Sequence, residues 1–429
     1  MSPVKHNNKI TTFKLILIAF IHIGVGISVV SLSSFVNSEM KFIGWNESII
    51  SIYLGFAIIF ELFRLVFGYL HDKTGNLLFF VVLGGLTSFI GLLLIPSSLT
   101  PIGNIRIIFA GALFYSGSAI CTTLIDTHLT KVSVNVDRNR IAGILQTLRL
   151  TGFAMGGFLG SYFYSKLDFS IFIFGMSFFF LLSLVLSLIG IYYTQIQIGE
   201  KTKTNSTTEI LSVIKQKNPI LMSIYLFLYP IGLFMQDLVL EPFAIENLHF
   251  EKTDVGKIVA IWTSLTLVFV PIGIKLIPKF GRLRIIVIGT ILSSVGLIIL
   301  TINSIILDIE LFYIGLIIFG IGNGLNSGTG IGVMLDICAS YPKNMSVLLG
   351  YFGVLITFGR FVASIIGGLI LNIFELRPLS NYFYLFGIES FITIITIIPM
   401  IILHRNINVS YSPASSPINP IDVISMSDL

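Results

Sequence analysis

Long apolar runs separated by short polar connections dominate the chain. Twelve of them, roughly at 13–36, 48–70, 77–98, 104–130, 141–165, 169–193, 219–241, 255–277, 283–303, 309–338, 346–373 and 381–404, reach the length a bilayer-crossing helix needs, about 20 residues. Only a helix satisfies the backbone polar groups of such a run in lipid, so the pattern predicts twelve membrane helices. The first run is too long for a signal-peptide core and lacks a small-residue cleavage site, so it is expected to stay in place. The longest internal polar segment, Thr194 to Asn218, separates six runs from six. The expected organisation is an N-terminal six-helix bundle over 1–193, a cytoplasmic linker over 194–218, a C-terminal six-helix bundle over 219–405 and a disordered tail over 406–429. Within the linker, Ser206-Thr-Thr-Glu209 has the form of a capping box, and Ile210, Leu211 and Ile214 follow at helical spacing. A short amphipathic surface helix and a disordered connection both fit that stretch.

Composition sharpens this picture. Of 429 residues, 55% are hydrophobic and 11% charged, with a mean hydropathy of +0.95. Soluble domains carry about 25% charged residues, so a soluble enzyme is excluded, and so is an intrinsically disordered chain. Cys121 and Cys338 both lie in apolar runs, which excludes a disulfide scaffold. No G-x-x-x-x-G-K-[ST], H-E-x-x-H or C-x-x-C pattern occurs, so neither ATP-driven transport nor other enzyme chemistry has a signature here. The net charge of +5 comes from bases in short loops rather than on one face, and nucleic acid is not an expected partner. Seventeen of the 26 Lys and Arg fall in one alternating set of connections together with both chain ends, six in the other set, and Arg64, Arg149 and Arg360 inside spans. The positive-inside bias places both termini in the cytoplasm.

The halves repeat. Gly68-x-x-x-Asp72-Lys73-x-Gly75 follows the second span, and Gly273-Ile-Lys275 to Gly281-Arg282 follows the eighth. Asp126 in the fourth span matches Asp336 in the tenth, and Arg149 in the fifth matches Arg360 in the eleventh, all at nearly one offset. Repeats of this kind build alternating-access transporters. The loop bearing Gly68, Asp72 and Gly75, with twelve spans split six and six, resembles the signature of the major facilitator superfamily. Ile277 stands where the second copy would carry its acid. The expected fold is therefore all-α, two pseudo-symmetric six-helix bundles around a central cavity, with the signature loop acting as a gate element.

The seventh span ends in Gln236-Asp237-Leu-Val-Leu-Glu241-Pro242-Phe243. This resembles the signature of the PucC-like, bacteriochlorophyll-delivery branch of that superfamily. Asp126-Thr-His-Leu-Thr130, Gly322-Asn-Gly324-Leu-Asn-Ser-Gly328 and Asn37 are similar to the same branch. The resemblance implies a membrane protein of a phototroph, in a thylakoid or cytoplasmic membrane. It would handle chlorophyll-type pigment as cargo during assembly of light-harvesting or other chlorophyll-binding complexes. Its implied partners are lipid, pigment, antenna or chlorophyll-binding subunits and pigment-synthesis enzymes, with no tightly bound cofactor and no metal site. Two alternatives remain open: a proton-coupled transporter of a small solute, and a scaffold for antenna subunits that transports nothing. Gly157 stands where an antiporter-type fifth span would place Pro, which speaks against drug–proton antiport.

Ionisable groups inside a membrane are functional candidates by default. Glu61 and Arg64 share a face of the second span. Asp126 and Arg149 lie on the order of 10 Å below the cytoplasmic surface, from a rise of ~1.5 Å per residue. The four are expected to cluster, either as a latch between rocking halves or as static pairing, with Asp336 and Arg360 as the second-half equivalent. Asp237 and Glu241, four apart, are expected to share a helical face and repel. A shared proton, a cation, a partner contact and an acidic rim all fit. Candidate axial ligands for a pigment magnesium are His22, beside Gly24 and Gly26, together with Asn37, Gln146, Asn323 and Asn326.

Overall fold

The computed structural model describes residues 12–100, 105–132, 138–195, 212–237, 239–341, 345–376 and 379–410, and all regular structure among them is helical. The long helices are α1 (Phe13–Phe42), α2 (47–74), α3 (Leu77–Ser98), α4 (Ile105–Val132), α5 (Arg138–Tyr164), α6 (Phe169–Gln195), α7 (Lys217–Phe234, followed after a break by a short helix Leu240–Asn247), α8 (Lys252–Phe280), α9 (Arg282–Ile306), α10 (Ile309–Ala339), α11 (Met345–Ile373) and α12 (381–410). Eleven are long and apolar enough to cross a membrane, so the chain is an integral, multi-pass membrane protein. The exception is α5. Its 27 residues suffice to cross, but Arg138, Arg140, Arg149 and a series of glycines dilute its apolar content. Its neighbours explain the tolerance, because α5 packs on α1 and α8 inside the protein.

Helix ends follow local chemistry. The Asn76 side chain accepts the Phe79 N–H and starts α3, and Asp308 accepts the Leu311 N–H at 2.7 Å and starts α10. Glu251 and Asp254 form a capping box for α8. Gly75, at φ +73°, ends α2, and Gly281, at φ +80°, ends α8. The two halves therefore correspond through these cap glycines, a register one residue longer than the motif comparison suggested. Gly68 serves no close approach, since a Cβ there would meet open space. The side chain of Asp72 and the proposed linker helix before residue 212 lie outside the described residues. At the C-terminus α12 continues to Ser410, past the expected start of the tail at 406, and residues 411–429 lie outside the described set.

Small residues bring helices together, within each bundle and, where α5 meets α8, between them. Gly152 and Gly156 of α5 lie against the α1 backbone at Ile23 and Ile27, while Gly157 meets Ala260 of α8, and Gly256 of α8 meets Gly157. This is close packing without a hydrophobic driving force, as expected in lipid. The glycine-rich α10 uses Gly320 and Gly324 to approach α8, and Gly322 to approach α9. Across the other seam, the Ser51 hydroxyl donates to Ser364 O at 2.6 Å, joining α2 to α11. At the loop end of that seam, Lys41 pairs with Glu47 and reaches Glu246 of the other half at 3.4 Å. The Tyr382 hydroxyl donates to the same Glu246. The bundles are thus tied together on the face opposite the chain termini.

Candidate functional site

A cavity of about 170 Å³ lies between the bundles, walled by α1, α5, α7, α8, α10 and α11. Its walls are largely apolar and aromatic, including Val29, Val30, Leu150, Phe153, Phe234 and Trp262. Tyr225 and Tyr229, one turn apart on α7, stack with centroids 5.2 Å apart. Their hydroxyls donate to Asn326 Oδ1 and Asn323 Oδ1, each at 3.0 Å. Buried tyrosine hydroxyls need such partners, and α10 supplies both, three residues apart on one face. Asn326 also donates to Thr290 and is fully committed behind the wall. Asn323 and Gln146 line the cavity itself.

Charge gathers at one side of this space. Glu61 lies where α2 tightens into a 3-10 turn over Ile59–Leu62. Its carboxylate accepts from Arg64 at 2.5 Å, from Arg360 of α11 at 3.3 Å and from the Thr357 hydroxyl at 2.9 Å. Arg360 also lies over the Phe234 ring, and Arg149 over Phe153, both facing the cavity. Removing one partner of a buried, hydrogen-bonded pair of this kind costs about 3–5 kcal/mol, because the other charge is left buried, so Glu61 and Arg360 depend on each other across the halves.

The expected grouping of Glu61, Arg64, Asp126 and Arg149 is therefore only half reproduced. Glu61 and Arg64 meet, but their further partner is Arg360. Asp126 instead sits 2.9 Å from His22 of α1 and makes no ion pair with Arg149. The reason is packing: α1 lies directly beside α4 and α5. Asp336 pairs with Arg282 at the start of α9 rather than with Arg360. His22 is thereby occupied outside the cavity. Asn37, fully buried, donates to Ser33 O and does not line the cavity either.

Asp237 and Glu241 do not share a helical face. The helix α7 stops at Phe234, Asp237 lies in the break and lines the cavity, and Glu241 opens the short helix beyond. Pro242 lacks an N–H and its ring crowds the carbonyl four residues back, which opposes one continuous helix. Two side chains of α12 then take over the missing helical bond from Gln236 N–H to Gly232 O. Glu389 accepts the N–H groups of Met235 and Gln236 at 3.0 and 3.2 Å, and the Thr393 hydroxyl donates to Gly232 O. Glu241 reaches across to the Ser34 hydroxyl of α1. There α1 itself loosens into a π-helical turn, Ser31–Val36, a feature frequent at functional sites. Among the described residues no group of three His, Cys, Asp or Glu could hold a metal ion.

The fold has solved counterparts. The nucleoside transporter NupG superposes with a TM-score of 0.68 at 12% identity, over 92% of this chain and 100% of that one. A POT family transporter in complex with a thioalcohol-conjugated peptide gives 0.70 at 14% identity, over 92% and 96%. At such identity these likenesses establish the fold of major facilitator transporters alone. No curated protein matches the chain. A family profile described as PUCC protein matches residues 41–407, most of its length. The chain belongs to the PUCC protein family. In this PUCC chain the seventh-helix signature at 236–242 is the broken segment itself, held by Glu389 and Thr393, neither of which sequence reasoning singled out. Glu389 carried a readable signal, a lone acid in the last apolar run. Thr357 and the π-turn of α1 carried none.

Proposed function

We propose that this PUCC-family protein binds a chlorophyll-type pigment in the cavity between its bundles and passes it on during assembly of chlorophyll-binding complexes. The observation that carries the reading is the lining of the cavity between the bundles, largely apolar and aromatic with a few polar groups, the pattern of a small-molecule site. Stacked tyrosines, Trp262 and Phe153 suit a flat, greasy ring system. Gln146 offers an amide oxygen as an axial ligand to a pigment magnesium. His22 is paired with Asp126, Asn323 and Asn326 accept the tyrosine hydroxyls, and Asn37 lies outside the cavity, so all four are set aside for that role. Partners would be antenna or other chlorophyll-binding subunits and pigment-synthesis enzymes, in a thylakoid or cytoplasmic membrane with both termini cytoplasmic. The test is purification of the tagged protein from its native membrane followed by an absorption spectrum. A bound Soret and Qy signature that falls on enlarging Gly330, beside Tyr225, to Leu supports the reading; a colourless protein that also fails to take up added pigment ends it.

A second reading, secondary transport of a small solute, is supported by the transporter fold and by the Glu61–Arg360 tie between halves. Solute-dependent uptake into proteoliposomes, lost in Glu61→Gln, would favour it. The signature loop and the buried carboxylates Asp237 and Glu241 would then act as gate and proton site.

A further inference from the structure

Resting on that pigment reading, we infer that the cavity selects a cargo carrying a free carboxylate, an amphipathic anion rather than a fully esterified, neutral macrocycle. The charge balance around the cavity points to it. Three guanidinium groups gather here: Arg64, Arg149 and Arg360. Arg64 and Arg360 share Glu61, which lies behind the wall, and Asp237, an acid in the cavity wall, lies within electrostatic reach of Arg360. That leaves Arg149 as the surplus cation. Among the described residues its guanidinium makes no ion pair and no hydrogen bond, only the face contact with Phe153 at 5.7 Å. Arg360 and Arg64 repel it, Glu61 attracts it without touching it but is shared by the other two guanidinium groups, and Asp126, a further attracting acid, is engaged with His22.

An unpaired cation in an apolar, membrane-enclosed space is costly. A guanidinium presents a planar fork of donors that matches a carboxylate with two parallel hydrogen bonds. Gln146, one turn earlier on α5 and also in the wall, can donate its amide to the same group. The ring system would lie toward Tyr225, Tyr229 and Trp262 on the facing bundle, so ligand charge and ligand bulk contact different halves. Esterification of the acid would remove the group that Arg149 holds, and would thereby lower affinity for the finished product.

The experiment uses the full chain in nanodiscs and reads quenching of tryptophan fluorescence, since Trp262 lines the cavity. The probes are chlorophyllide, its methyl ester and oleate. Charge-assisted pairing predicts that chlorophyllide binds about tenfold or more tightly than its ester. Arg149→Gln should erase that difference, and Arg149→Lys should restore part of it. Equal binding of acid and ester by the unaltered protein would overturn the inference while leaving the pigment reading intact, and needs no variant to fold. Oleate bound in an Arg149-dependent manner, with neither macrocycle bound, would uphold the anion site and overturn the pigment reading. Binding of none of the probes would overturn both.

Discussion

The first helices of the two bundles, α1 and α7, are irregular at matching depth, yet they solve the problem differently. In α1 the chain absorbs the irregularity as a π-turn, and Ser31, Ser38 and Asn37 back-bond to carbonyls one turn earlier in the same helix. In α7 the helix breaks, and α12 completes it from outside through Glu389 and Thr393. The first device is local and neutral. The second is long-range and uses a buried acid, so its failure should be felt by the whole C-terminal bundle. The two irregular segments meet at Ser34 and Glu241, one in each half.

Substitutions can break this contrast in a graded order. Glu389→Ala strands two buried N–H groups and is expected to destabilise by about 2–6 kcal/mol, from about 1–3 kcal/mol per unsatisfied group. Thermal unfolding in detergent would read it as a marked fall in Tm, with Glu389→Gln closer to the native value. An unchanged Tm for the alanine variant would remove Glu389 from any role in the break. Gly281→Asn comes next, at about 1–3 kcal/mol, because φ +80°, ψ 149° is a region open essentially to glycine. Its counterpart Gly75, at φ 73°, ψ 7°, is left-handed helical and accepts Asn far better. Equal Tm losses for the two Asn variants would show that the caps are not distinct. Thr393→Val removes one donor to Gly232 and should cost about 1 kcal/mol. Ser31→Ala in α1 should fall within about 0.5 kcal/mol, since its back-bond is optional; a loss matching Glu389→Ala would erase the difference between the two helices.

Much of the architecture was legible because apolar runs bounded by Gly, Asn and charge have one economical fate in lipid. The spans and the pairing of Glu61 with Arg64 rest on spacing alone. What escaped depends on which helix lies beside which. Asp126 was expected to meet Arg149, but His22 of α1 stands between α4 and its expected partner. The break in α7 could not be read from Pro242, because Pro96, Pro230, Pro271 and Pro278 all sit inside helices. It depends on Glu389 and Thr393, some 150 residues later. The expected face shared by Asp237 and Glu241 dissolved for the same reason.

The contact of Gly157 with Gly256 and Ala260 has a mechanical consequence. Where α5 crosses α8 main chain approaches main chain, with only the small side chains of Ala260 and Ser161 beside the glycines. Such a bearing has no teeth to disengage, so one half can roll on the other there at little steric cost. Any added bulk at that point would act as a wedge, prising apart the face opposite the termini.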